Sequence, residues 1–183
     1  MKALFSTIIV SMFFFVNAFA QTTPVVKASA NHSISVKVPE VALISLVGAN
    51  VDDIELNFTE LTEAGSWFSE VTSAGKDIKL QLSSVKPGTV RKVQVSATVP
   101  AGLTLKVTAG ANTGGKGTTG EPKANVVIGS TGADLITAIG SGYTGNTSNN
   151  GFPLTYKLSV DEDEVASLAA ATTAITVTYT ISE

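Results

Sequence analysis

Four consecutive acidic residues, Asp161-Glu162-Asp163-Glu164, are the densest charge in the chain. Calcium takes about six to eight converging oxygens, and a linear run without a calcium loop's glycine and spacing does not wrap an ion. A solvated surface turn is expected there, and the same holds for Asp52-Asp53. Glu55, Glu60, Glu63 and Glu70 offer carboxylates of the kind that glycoside hydrolysis uses in pairs. On half-exposed strands they read as surface charges. The one histidine, His32, has no obvious acid or nucleophile partner with which to build a catalytic triad. Gly114-Gly115-Lys116-Gly117-Thr118-Thr119 has the composition of a phosphate loop, but neither its spacing nor a strand-to-helix setting. With no cysteine, disulfides, thiolate zinc sites and cysteine nucleophiles are excluded. The expectation is a chain without catalytic residues, metal ligands or a cofactor.

The remaining side chains with binding chemistry are aromatic. Trp67 and Phe68 are the only adjacent large aromatics after the N-terminal apolar run, and Tyr143 is the only large apolar side chain in the loop 140–151. Two readings stand side by side. Trp67-Phe68 plugs the core, or it forms with Tyr143 an exposed platform that stacks on a sugar ring or a protein partner. Asn31-His32-Ser33, Asn57-Phe58-Thr59 and Asn146-Thr147-Ser148 match the glycosylation pattern, a short motif of little weight by itself. Twelve basic against 15 acidic residues leave a net charge of -3, which excludes a backbone-binding surface for nucleic acid.

The elements that would position these groups are strands. Apolar and polar residues alternate with period two at Ile34/Val36/Val38, Ile54/Leu56/Phe58, Ile78/Leu80/Leu82 and Val93/Val95/Ala97/Val99. The same period runs through Leu103/Leu105/Val107, Leu154/Tyr156/Leu158/Val160 and Ile175/Val177/Tyr179/Ile181. Each such run has one face for a core and one for water. Val41 to Val47 and Val126 to Ile128 read as strands buried on both faces, and the turn Pro100-Ala101-Gly102 as the bend of a hairpin. One short helical turn is expected within 163–171, where acidic residues favour a helix start. The loops 110–123 and 140–151, rich in glycine and poor in apolar side chains, are expected to be mobile. The strand 174–182 should pair within its own sandwich and complete a monomer whose assembly, if any, is side-to-side; the competing idea is donor-strand exchange, with Ser33 to Val47 as the donor. The sum is an all-β, immunoglobulin-like two-sheet sandwich of about eight or nine antiparallel strands.

The beginning of the chain carries an address. Lys2 precedes an almost wholly apolar run over residues 3–16, and Ala18-Phe19-Ala20 puts small residues where a signal peptidase cuts. The run is shorter than the roughly 20 residues a spanning helix needs. Residues 1–20 are therefore read as a cleaved signal peptide, 21–32 as an exposed tail and 33–183 as one sandwich domain. The mature chain would not span a membrane and would reside in the periplasm, on the cell surface or outside the cell.

Several runs resemble those of a known group. Gly151-Phe152-Pro153-Leu154-Thr155-Tyr156, the ending Thr173 to Ile181, Val38-Pro39-Glu40-Val41-Ala42-Leu43-Ile44 and Val99-Pro100-Ala101-Gly102-Leu103 are similar to strand and turn signals of small exported β-sandwich proteins of Gram-negative bacteria. Fimbrial-type and spore-coat-U-like domains belong to that group. The resemblance implies an immunoglobulin-like sandwich in the envelope or at the surface and no catalytic residues. The cysteines common in such subunits are absent here. The function expected is non-catalytic, structural or adhesive, with other envelope or surface proteins, or glycans, as partners. The alternative is a carbohydrate-binding module using Trp67, Phe68 and Tyr143.

Overall fold

The computed structural model describes residues 29–52, 54–86 and 90–183. The signal-peptide reading, most of the tail and Asp53 lie outside the described residues. The chain divides into two units, 1–37 and 38–183. Residues 29–37 of the first carry no helix or strand and are exposed.

The second unit is an all-β sandwich of two antiparallel sheets. Its strands in chain order are β1 (Val41–Val47), β2 (Val71–Thr72), β3 (Lys79–Val85), β4 (Arg91–Ser96), β5 (Leu103–Ala109) and β6 (Lys116–Gly117). Then follow β7 (Glu121–Pro122), β8 (Val126–Val127), β9 (Ala133–Ile139), β10 (Gly142–Tyr143), β11 (Phe152–Val160) and β12 (Thr178–Ser182). Seven of these run five residues or longer, and five are two-residue pairings. The larger sheet has the order β6-β10-β3-β11-β5-β8, with β1 added on β3 and β2 on β11; the smaller is β12-β4-β9-β7.

Period two builds the core directly. In the β5–β11 ladder, Ala109 faces Leu154, Val107 faces Tyr156 and Leu105 faces Leu158, and all six are buried. Val93, Val95, Leu135, Ile136 and Ile139 meet them from the smaller sheet as one apolar cluster. Each fully buried aliphatic side chain contributes roughly 1.5–3 kcal/mol. At one end of the sandwich the buried Arg91 of β4 crosses between the sheets. Its guanidinium donates to the Val41 carbonyl and to Ser84 Oγ and pairs with Glu40, which also meets Lys86 at 3.3 Å. The start of β1 is thereby fixed to both sheets.

Several expectations need correction. The runs 33–38 and 54–58 alternate as strands do but form none. The C-terminal strand begins at Thr178, not 174, although it does pair with β4 of its own sandwich. Strand β1 is not buried on both faces: it is an edge strand with Leu43 exposed, and Val127 of β8 is exposed too. The turn at 100–102 exists, with Leu103 N–H donating to Pro100 O at 3.3 Å and Gly102 at φ +80°. Its positive φ at the third turn position is the one glycine suits. The flanking strands do not pair as a hairpin, however, because β4 and β5 lie in different sheets. The bend carries the chain across the sandwich.

The two glycine-rich loops are tied down by hydrogen bonds rather than by apolar burial. Strand β6 of the first pairs with β10 of the second. Thr144 is fully buried, and its hydroxyl accepts from Leu82 N–H. Thr113 Oγ1 donates to Asn149 O at 2.8 Å. Glycine is required where the loops touch: Gly115 has φ +71°, and a Cβ there would stand 1.7 Å from the Tyr143 carbonyl.

Candidate functional site

The acidic run is the surface turn expected of it. Glu164 N–H bonds Asp161 O, Asp163 N–H bonds Asp161 Oδ1, and a single 3-10 turn, Val165–Ser167, follows. Among the described residues no three carboxylate or imidazole groups converge as metal ligands. Glu55, Glu60, Glu63 and Glu70 are exposed, with Glu70 paired to Lys157 at 2.9 Å, and His32 is exposed.

Trp67 is not a core plug. It is 47% exposed, in the segment before β2, with its ring 5.3 Å from that of Phe68. Phe68 in turn packs on Phe58 at 5.1 Å. Tyr143, half-exposed, stands on β10 and shares no ring contact with them.

Two grooves open on the second unit. The first, of about 610 Å³, lies on the outer face of β1, β3 and β10. Leu43, Ser45, Gln81, Ser83, Tyr143 and Asn146 line it. The pairing register explains why these residues meet. Leu43 is opposite Ser83, Ser83 is opposite Tyr143, and Ser45 is opposite Gln81. Of this set Tyr143 stands out in the sequence as an aromatic, and Asn146 as part of a glycosylation pattern. Leu43 is hidden in a run that reads as buried, and Gln81 and Ser83 are the polar half of an ordinary alternation.

The second groove, of about 320 Å³, is a seam between β1 and the entry to β12, lined by Ile44, Ser45, Leu46, Leu80, Val177, Thr178 and Tyr179. Among the described residues β1 pairs with β3 alone and β12 with β4 alone, and the two strands approach each other along edges that carry no ladder. Ile175 and Val177 pack half-buried on the core, yet the backbone of 169–177 enters no hydrogen bond among the described residues. Tyr156 and Tyr179 join their hydroxyls across the sandwich beside this seam. Burial holds both phenols above the usual tyrosine range, and in Tyr179 the hydroxyl of Tyr156 adds to the rise.

No family model, curated protein or solved structure matches this chain.

Proposed function

We propose that this protein is a non-catalytic structural or adhesive β-sandwich, exported to the bacterial envelope or surface, whose copies join by strand addition. One observation carries the reading. Ile34, Val36 and Val38 alternate with polar residues and are 75%, 80% and 70% exposed, so a strand-patterned segment holds its apolar row in water. That arrangement is costly, at roughly 25 cal/mol for each Å² of apolar surface. The seam between β1 and residues 175–179 supplies what the segment lacks: a free strand edge and an apolar floor. Adding an extended chain to an exposed edge gains backbone hydrogen bonds, while alternate side chains fill the groove. The donor is the segment of a second copy.

Light scattering on the mature protein tests this reading. Oligomers are expected, and the pair of changes Ile34→Lys and Val36→Lys should reduce them to monomers with an unchanged urea midpoint. A wild-type protein that stays monomeric at every concentration would overturn strand addition. Export is checked separately by the intact mass of secreted material, which should begin at Gln21.

A further inference from the structure

The groove on the outer face of β1, β3 and β10 calls for a ligand of a different kind. Its floor is the pleated face of strands that are already paired, so it offers no free backbone edge to a peptide strand. Its lining contains no charged side chain. Its walls are Leu43 on β1 and the half-exposed phenol of Tyr143 on β10, with the small Ser83 between them. Two strand spacings separate the walls, about 10 Å, which leaves room for one flat ring above the serine.

The polar groups around this slot are unspent, and one of them, Gln81, is fixed. Gln81 Nε2 donates to the carbonyls of Thr147 and Asn150, at 2.6 and 3.2 Å, which locks the side-chain amide in place. No protein donor among the described residues reaches its Oε1. The Asn146 amide and the Ser83 hydroxyl are likewise without protein partners there. The backbone that carries Tyr143 is held: the N–H of the next residue, Thr144, donates to Leu82 O at 3.0 Å, and Gly115 lies against the Tyr143 carbonyl. A half-exposed aromatic face beside pre-set neutral acceptors and donors matches a ring with an apolar C–H face and equatorial hydroxyls. Holding Gln81 in place beforehand reduces the entropy lost on binding.

We infer that this groove is a binding subsite for a neutral saccharide ring. Tyr143 stacks on the ring, and Gln81 Oε1, Asn146 and Ser83 meet its hydroxyls. The subsite goes beyond the strand-addition reading and does not depend on it, because none of these residues belongs to the segment 33–38.

Affinity electrophoresis of the mature protein tests the assignment, with gels containing mannan, soluble starch, xylan or hydroxyethylcellulose, and polygalacturonate as the acidic probe. At least one neutral polysaccharide should retard the protein. Tyr143→Ala should weaken that binding about tenfold or more, corresponding to about 1.4 kcal/mol. Leu43→Lys, at an exposed position where folding is not at risk, should weaken it too. Trp67→Ala and the lysine pair at 34 and 36 should leave it intact, which keeps this test separate from that of assembly. Retardation by polygalacturonate alone, by no polysaccharide, or retardation lost in Trp67→Ala but kept in Tyr143→Ala, would each overturn the subsite.

Discussion

Strand β11 and the run Ser33 to Val38 carry the same period-two pattern and end differently. Strand β11 lies between β5 on one side and β2 and β3 on the other, and its Phe152, Leu154, Tyr156 and Leu158 are buried. The run 33–38 has no ladder, and its three apolar side chains point into water. Alternation makes a chain fit to be a strand, but only a neighbour with free donors and acceptors makes it one. Residues 54–58 and 173–177 are intermediate: their apolar side chains pack on the core without any backbone ladder.

The sharpest contrast comes from substitution in the two regions. Phe152→Ala, at a fully buried position of β11, should cost about 3–5 kcal/mol in urea unfolding. Val36→Ser should change the stability of the monomer by less than about 0.5 kcal/mol. Next in size is Arg91→Ala. It strips Ser84 Oγ and the Val41 carbonyl of their shared donor, and should cost about 1–3 kcal/mol. If the loss were negligible, the start of β1 would not be fixed as described.

The tyrosine pair gives a smaller effect and a pH signature. Both phenols lie higher in the folded protein than in the unfolded chain, where tyrosine titrates near about 10. Stability from this source is therefore fully present below that pH. It falls as pH rises further, because the unfolded chain releases those protons first, by up to about 1.4 kcal/mol per pH unit for each group. Tyr156→Phe should leave the Tyr179 hydroxyl without its partner, costing about 1 kcal/mol near neutral pH. Replacing both by phenylalanine should recover part of that loss and flatten the alkaline decline. Urea midpoints across pH 8 to 11 check both expectations.

The sandwich class and the central strands are legible in the sequence because one buried face forces alternation. Strand β9 is not. Leu135 and Ile136 are adjacent and both buried, since the register against β4 shifts there and Ala138 takes φ +58°. A bulge of this kind breaks the two-residue period that would announce the strand. The same local reading cannot tell that β4 and β5 enter different sheets, because a turn looks alike whether it closes a hairpin or crosses a sandwich. Of the groove only Tyr143 and Asn146 were legible, and neither announced a groove. Leu43, Gln81, Ser83 and Tyr143 become neighbours through register, which depends on the pairing of β1 with β3, two strands on, and of β3 with β10, seven strands on, rather than on spacing within one strand.

The central claim is that the strand pattern at 33–38 is completed by the seam of a second copy. Amide hydrogen exchange on monomeric and assembled fractions of the wild-type protein tests it most directly. The amides of 33–38 and of 173–177 should exchange freely in the monomer and become protected together in the assembled fraction, while β11 stays protected in both. Free exchange at 33–38 in a fraction of proven higher mass would contradict the account.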